Sequence, residues 1–543
     1  MTDIVTPSMP VATPPVFDEI VLSLDRRDIP KATALACEAL RRGEIHPLFL
    51  NLRAARFEQE GQSQAALADL LLACRMAPDD APINNALGLA LMKAGQYFDA
   101  MTAFDAAVKV APRFAPAHFN KATACEAMGY LDEARRCFSD AAALDDRSAE
   151  PFARLAALAA RRGDFAETAR AGHEALTRQP GHLLATRALI LSDIEAGLFS
   201  AAEKRIESMF ERAGLSAYDR YMTMGLLGDL REREHRYADA FAAYIEGNED
   251  YYRATRPHFG ETVATSLQWL TDYYASPAPM THAPGKTTSA VCSHVFLIGF
   301  PRSGTTLLEQ VLAMHPQVVT MEEKDAFAES VRAFMAGPEQ HATLATLSPD
   351  QLDPYREAYW RHVGEFGFSP ANKVFVDKHP LHTVKLPLIA ALFPQAKILF
   401  AVRDPRDVVL SCLRARFRIN PYMIELLRLK DAAAFYANIM RLADHCRKSL
   451  PLMVREIRHE DLVSDFDKTA GEICEFLGLE WTSSMRDFAS HSHVRAIATP
   501  SARDIARGLS RAGVGRWRAY ASQLAPVMPI LAPWAKMFGY ADV

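Results

Sequence analysis

Residues 295–312 read VFLIGFPRSGTTLLEQVL, and this stretch decides the fold of the second half of the chain. The run from Val295 to Ile298 is apolar and rich in β-branched residues, which predicts a buried strand of a parallel sheet. From Thr306 onward, apolar residues recur at helical spacing. A loop of small residues between a strand and a helix directs backbone N–H groups and the helix dipole at one point. We therefore expect residues 299–306, the anion loop, to bind a phosphate or a sulfate.

The anion loop departs from the nucleotide-hydrolase pattern G-x-x-x-x-G-K-[ST]. Gly299 and Gly304 have the required spacing, but Thr305 stands where that pattern has lysine, and Arg302 lies inside the loop instead. Because a guanidinium binds oxyanions through several donors at once, this arrangement suits an anion that is held without Mg²⁺. The sequence therefore predicts no metal site.

Composition places the chain among globular proteins and excludes some functions. Of the 543 residues, 49% are hydrophobic and 23% are charged, and the formal net charge of −5 argues against a nucleic-acid partner. The eight cysteines form no C-x-x-C pair. We find no signal peptide and no apolar run of about 18 residues, so we expect a cytoplasmic protein without a membrane span.

A 34-residue period organises the first half of the chain. Five glycines fall exactly one period apart, and each is followed five residues later by a small residue: Gly61, Gly95, Gly129, Gly163 and Gly197. This order of glycine, small and large apolar residues is typical of the tetratricopeptide repeat. The register extends back to Arg27 and, after four extra residues, forward to His235. We expect about seven repeats, whose concave face binds a peptide or protein, or serves as a scaffold for a homodimer.

The anion loop resembles the 5′-phosphosulfate loop of sulfotransferases that use 3′-phosphoadenylyl sulfate. The layout of the chain is most similar to that of tyrosylprotein sulfotransferases and their bacterial relatives that carry tetratricopeptide repeats. The resemblance implies that the loop binds the 5′-phosphosulfate. The residues concerned are Arg302, Ser303, Gly304, Thr305 and Thr306.

The resemblance also implies three catalytic residues. Glu322 corresponds to the glutamate that takes the proton of the acceptor hydroxyl, although Glu323 and His379 remain open as the base. Lys378 corresponds to the lysine that contacts the sulfuryl group and stabilises the leaving phosphate, together with Arg302. A surface lysine paired with Asp377 is the competing interpretation of Lys378.

Further motifs correspond to positions that bind the rest of the donor. Arg403 and Ser411, eight residues apart, match the pair that binds the 3′-phosphate. His459 stands where the family often has the tyrosine next to adenine. Ser501 and Arg516 flank a glycine-containing segment that we interpret as a lid returning a cation to the 3′-phosphate.

The predicted architecture is an all-α tetratricopeptide superhelix followed by an α/β domain with a parallel sheet. We expect a disordered tail at 1–15, the array with a capping helix at 16–270, a linker at 271–290 and a sulfotransferase domain at 291–543. The acceptor hydroxyl could belong to a protein tyrosine, a saccharide or a small molecule.

Two other functions remain open from the sequence. A kinase could use a variant loop, although the absent loop lysine argues against Mg²⁺-dependent ATP turnover. A repeat adaptor could bind an adenine nucleotide without catalysis, although Glu322 and Lys378 would then have no evident role.

Overall fold

A computed structural model describes residues 14–260, 263–275, 291–488 and 508–540 of the chain. These residues form two compact units, of which the first ends at Leu189 and the second begins at Ile190. Most of the predicted tail, residues 276–290 of the predicted linker, and Ser501 lie outside the described residues.

The first fourteen helices follow one another as hairpins. They are α1 Phe17–Asp25, α2 Ile29–Arg41, α3 Pro47–Gln59, α4 Ser63–Met76, α5 Ala81–Lys93, α6 Tyr97–Val110, α7 Ala115–Met128, α8 Leu131–Leu144, α9 Glu150–Arg162, α10 Phe165–Arg178, α11 Leu183–Glu195, α12 Phe199–Phe210, α13 Ala217–Arg233 and α14 Tyr237–Thr255. The all-α tetratricopeptide architecture predicted for this half is confirmed.

The turn inside each hairpin has one residue with positive φ, between 59° and 86°. These residues are Arg27, Gly61, Gly95, Gly129, Gly163, Gly197 and His235. The glycines recur every 34 residues because each hairpin turn requires a residue in the left-handed conformation. Arg27 and His235 adopt this conformation although they are not glycines. Close helix packing explains another glycine, because a Cβ at Gly172 would lie 2.7 Å from Leu189.

The second unit contains a five-stranded parallel sheet with the order β2-β3-β1-β4-β5. The strands are β1 Ser293–Gly299, β2 Val318–Glu322, β3 Val374–Lys378, β4 Lys397–Val402 and β5 Met453–Arg458. Successive residues of β1 enter opposite cores: Val295 and Leu297 lie in one, Phe296 and Ile298 in the other. The uninterrupted apolar run in the sequence thus reflects a strand that is covered on both faces.

The remaining described helices of the second unit follow α14 in the chain. They are α15 Val263–Ala275, α16 Thr305–Ala313, α17 Ala328–Phe334, α18 Pro338–Leu344, α19 Pro349–Glu365, α20 Leu386–Leu392, α21 Pro405–Arg414, α22 Leu429–Ser449, α23 His459–Ser464, α24 Phe466–Leu477, α25 Ala521–Leu524 and α26 Met528–Met537. No helix within the described ranges is long and apolar enough to span a membrane.

The compact unit that holds the sheet also includes helices that the sequence assigns to the repeat array. Tyr244 of α14 and Leu270 and Tyr274 of α15 lie in the same apolar core as Phe296 of β1. Polar contacts join them as well: Tyr221 donates to the Ala415 carbonyl at 3.1 Å, and Asn248 Nδ2 donates to the Leu413 carbonyl at 3.0 Å. Helices α13–α15 are thus part of the scaffold of the sheet.

Candidate active site

The anion loop connects β1 to α16 at the C-terminal edge of the sheet. Three of its residues have positive φ: Gly299 at 156°, Arg302 at 71° and Gly304 at 98°. A non-glycine in this conformation is costly and recurs at functional sites because the surrounding structure holds it there. Thr383 braces the loop, since its Oγ1 donates to the Gly299 carbonyl at 2.6 Å and accepts from the Gly299 N–H at 3.1 Å.

A cavity of about 190 Å³ opens beside the anion loop, and we call it the arginine cavity. Its lining includes eight of the ten residues that the sequence assigns to donor binding: Arg302, Gly304, Thr305, Thr306, Arg403, Ser411, His459 and Arg516. Ser303 is not in the lining, because its buried hydroxyl closes the turn by donating to the Phe300 carbonyl at 2.7 Å. Ser501 lies outside the described residues.

Two strand ends supply the first two cations of this cavity. Gly299 of β1 is paired with Ala401 of β4, so the anion loop and Arg403 leave the sheet side by side. Arg302 Nε donates to Ser411 Oγ at 2.9 Å, and Arg403 donates to the Arg302 carbonyl at 3.2 Å. Arg403 Nε is buried and has no hydrogen-bond partner among the described residues. An anion in the cavity would supply the missing acceptor.

His459 closes the cavity on the side of Gly304. A Cβ at position 304 would lie 2.7 Å from His459 Nδ1, so only glycine permits this approach. Burial, aided by the charges of Arg403 and Arg302, lowers the pKa of His459 to about 3. The ring is therefore neutral, and its buried Nδ1 has no partner among the described residues. A neutral ring with an unused nitrogen can contact a ligand without repelling it.

The segment from Gly513 to Trp517 is attached to the same helix that carries Ser411. Asp407 of α21 accepts from the Gly515 N–H at 2.6 Å and from the Trp517 N–H at 2.8 Å. Asp407 thus anchors the backbone of this segment. Arg403 Nη2 donates to the Gly513 carbonyl at 2.5 Å. The inner part of the predicted lid is therefore fixed to the cavity wall.

Three of the candidates for proton transfer and leaving-group stabilisation, Glu322, Glu323 and Lys378, lie beyond the lining of the arginine cavity, at the ends of β2 and β3. Lys378 is fully buried and contacts Glu322 at 3.1 Å and Glu323 at 2.9 Å. Burial alone would lower the pKa of Lys378, but the carboxylates of Glu322, Glu323 and Glu309 raise it above its usual value. The ammonium thus stays charged, and the surface pairing with Asp377 does not occur.

Register explains how these groups come close to the anion loop. Lys378 is aligned with Leu297 of β1 on one side and with Glu322 of β2 on the other. Glu323 follows with φ of 47°, a second non-glycine in the left-handed region at this edge. His379, the third candidate base, stacks on His382 at 4.5 Å, and burial, with the charges of Lys385 and Lys378, lowers its pKa to about 3.

Some residues of the site could not be identified from the sequence. Arg414 lines the arginine cavity, and Thr383 braces the loop from a segment after β3. Arg414 stands three residues after Ser411 in a helix, where an arginine more often lies on a solvated face. Within the described ranges, no group of three or more acidic, histidine or cysteine side chains could hold a metal ion.

Comparisons with known proteins agree with this geometry. Residues 294–483 match the family model described as "Sulfotransferase family", and residues 115–147 match a tetratricopeptide repeat model. The zebrafish (Danio rerio) protein-tyrosine sulfotransferase 1 is 28% identical over 207 residues, which cover 35% of this chain and 54% of that protein. The Mycobacterium bovis omega-hydroxy-beta-dihydromenaquinone-9 sulfotransferase Stf3 is 27% identical over 147 residues, 26% of this chain and 38% of that protein.

Among solved structures, a sulfotransferase domain from the curacin biosynthetic pathway is 18% identical and covers 48% of this chain and 100% of that chain, with a TM-score of 0.34. The chain spans between about a third and just over half of the length of the two curated relatives. The chain thus combines a tetratricopeptide repeat array with a region, residues 294–483, that matches the model of the sulfotransferase family.

Proposed function

We propose that this protein transfers a sulfuryl group from 3′-phosphoadenylyl sulfate to an acceptor hydroxyl. The observation that carries the proposal is the arginine cavity, in which the anion loop meets the Arg403–Ser411 pair. The buried Nε of Arg403 has no hydrogen-bond partner in the part of the chain that the structure describes. A donor with phosphates at both ends of its ribose needs cations at two separate places, and the ends of β1 and β4 supply them.

The residues fit such a donor without a metal ion. The anion loop, with Arg302 and the hydroxyls of Thr305 and Thr306, would hold the 5′-phosphosulfate at the start of α16. Arg403 and Ser411 would hold the 3′-phosphate, with Arg516 beside them. His459, being neutral, would contact the base.

Sulfuryl transfer forms one S–O bond and breaks another. The acceptor oxygen attacks sulfur, its proton passes to Glu322, and the bond between sulfur and the bridging phosphate oxygen breaks. Lys378 and Arg302 stabilise the charge that develops on the departing 3′,5′-bisphosphate. Lys378 suits this role because it is charged and buried, so its interaction with the developing anion is poorly screened.

The acceptor is an alcohol or a phenol whose class the two curated relatives leave open. One relative is named for protein tyrosine and the other for the hydroxyl of a modified menaquinone. A protein acceptor would give the repeat array a direct task, since such arrays bind peptides on their concave face. A small acceptor would leave the array free to bind another protein or a second copy of the chain.

A labelled-donor assay tests the proposal. The full chain is incubated with ³⁵S-labelled donor and a host lysate separated into protein and small-molecule fractions, in EDTA so that metal-dependent kinases are silent. Incorporation of label into one fraction supports transfer and identifies the acceptor class. In a parallel assay with Mg²⁺ and ATP in place of EDTA, ATP turnover together with no label transfer in the first assay would favour the kinase. Bisphosphate binding without any transfer would favour the non-catalytic adaptor.

The base is tested by substitution. Glu322→Gln keeps the size of the side chain and its contact with Lys378 but cannot accept a proton, so turnover should fall by about 10²–10⁴-fold with bisphosphate affinity unchanged. Glu323→Gln is the matched control, because that side chain also contacts Lys378. If Glu323→Gln is the inactive variant and Glu322→Gln turns over normally, the base is Glu323.

A further inference from the structure

One buried carboxylate of the repeat helices contacts two cations of the arginine cavity. Glu232 lies near the end of α13, with 5% of its side chain exposed. Its Oε1 accepts from Arg516 Nε at 2.7 Å, and its Oε2 accepts from an Arg414 terminal nitrogen and from the Tyr244 hydroxyl at 3.3 Å. Arg414 and Arg516 both line the arginine cavity.

The two arginines reach Glu232 from different parts of the chain. Arg414 is the last residue of α21, and Arg516 follows Gly513 and Gly515 at the start of a 3₁₀ turn, Arg516–Tyr520. Each carries a positive charge, so the two guanidiniums repel one another unless an anion lies between them. Glu232 is that anion. It allows two like charges to stay on one wall of the cavity.

Each of the two arginines also keeps N–H donors that Glu232 does not use. Glu232 accepts from Nε of Arg516, and the side chain of this arginine, which is 36% exposed, lines the cavity. Arg414 gives one terminal nitrogen to Glu232, and its Nε is buried without a partner among the described residues. A fixed arginine loses less rotamer entropy when it binds a phosphate than a mobile one does.

We infer that Glu232, a residue of the repeat helices, is a positioning residue for the donor, acting through Arg414 and Arg516. This inference rests on the proposed function, because it needs a phosphate-bearing donor in the arginine cavity. It also means that the seventh helix hairpin takes part in building the donor site. A negative charge beside an anion site weakens it in general, so the inference predicts that orientation outweighs this repulsion.

Calorimetry with 3′,5′-adenosine bisphosphate on the full chain tests the inference. Glu232→Gln should bind the bisphosphate about five- to tenfold more weakly, since two arginines lose their anchor. Glu234→Gln is the matched control: Glu234 also contacts two arginines, Arg231 at 2.9 Å and Arg236 at 3.4 Å, and neither lines the cavity. This control should bind as the unchanged protein does.

A double substitution separates positioning from a general structural effect. If Glu232 acts through Arg516, adding Glu232→Gln to Arg516→Met should cost clearly less affinity than it does in the unchanged protein. Equal losses in both backgrounds would overturn the inference for Arg516. Unchanged or tighter binding by Glu232→Gln would overturn it altogether. Absence of bisphosphate binding by the unchanged protein would instead overturn the proposed function, and the inference with it.

Hydrogen exchange on the unchanged protein covers the case in which Glu232→Gln does not fold. Bisphosphate should slow amide exchange at the end of α13, around residues 228–234, as well as in the anion loop. Helix α19, in the same compact unit but absent from the lining of the cavity, is the reference and should not change. Protection of the anion loop without protection of α13 would contradict the inference.

Discussion

The hairpins of the first unit and the hairpin of α13 and α14 follow the same sequence pattern but use their charged residues differently. In the first unit, Lys93 pairs with Glu58 and Arg161 with Glu126, each joining neighbouring repeats about one period apart, with the lysine 61% exposed. In α13, Asp229 pairs with Arg416 at 2.8 Å and Glu232 with Arg414 and Arg516, which all come from the sheet-bearing part of the chain.

This difference shows that the same helix-hairpin motif can form a solvated binding surface or pack into the core of a neighbouring domain. Exposed ion pairs between repeats contribute little to the free energy of unfolding. They leave the surface of the array available for a ligand, which suits a binding array. Buried pairs require exact partners, because an unpaired charge in the interior is costly. The repeats up to Leu189 therefore contact mainly their neighbouring repeats. Helices α13 and α14 are instead an integral part of the second unit.

The largest difference should appear between two deletions, one that removes only hairpins of the first unit and one that also removes α13 and α14. Deleting residues 1–181 removes the first five hairpins and should leave bisphosphate binding within about twofold. Deleting residues 1–262 also removes α13 and α14. Because Tyr244 is then lost and the apolar core against which it packs is exposed, the deletion should abolish both folding and binding. Circular dichroism and calorimetry compare the two. Full binding by the shorter chain would contradict the assignment of α13 and α14 to the scaffold.

The ion pairs provide the next test. Asp229→Asn leaves Arg416, whose side chain is only 20% exposed, without its charged partner and should lower the free energy of unfolding by up to about 3–5 kcal/mol. Glu58→Gln breaks the exposed pair with Lys93 and should cost about 0–1 kcal/mol. Denaturant unfolding of both variants, followed separately for each unit, measures the difference. If both variants lost the same free energy of unfolding, the proposed difference between the two sets of hairpins would be wrong.

Two buried asparagines sharpen the comparison with smaller effects. Asn248 donates to the Leu413 carbonyl at 3.0 Å, and Asn84 donates to the carbonyl of Pro78, six residues earlier in the chain, at 2.7 Å. Alanine at either position should cost about 1–3 kcal/mol, because a buried carbonyl loses its donor. Thermal unfolding should show the loss in the second unit for Asn248→Ala and in the first for Asn84→Ala. Only the former should also weaken bisphosphate binding.

Much of this fold could be predicted from the sequence because its periodicities are local. The period of 34 residues located six of the seven hairpin turns, and the seventh, at His235, follows after four extra residues. The apolar run after Ser293 located β1. The spacing of Arg403 and Ser411 follows from a strand end and two turns of the following helix, so a short motif encodes it. Each turn, strand end and helix start in these patterns depends mainly on residues close to it in the sequence.

The rest could not be predicted because it depends on contacts between distant segments. Glu232 and Arg516 are 284 residues apart in sequence, and Glu232 stands at a repeat position whose pattern reveals nothing of its partners. Arg414 and Thr383 belong to the site through the way α21 and the segment after β3 pack on the loop. Whether Glu322, Glu323 or His379 is the base stays a prediction for the same reason.

Calorimetric titration of the full chain with 3′,5′-adenosine bisphosphate in EDTA tests the central claim most directly. We expect one saturable site without metal, and Arg403→Ala should weaken it tens-fold, since hydrogen bonds to a charged group contribute about 1.5–3 kcal/mol. No heat with the bisphosphate, together with tight binding of Mg²⁺-ATP, would contradict the claim that this cavity binds a sulfuryl donor.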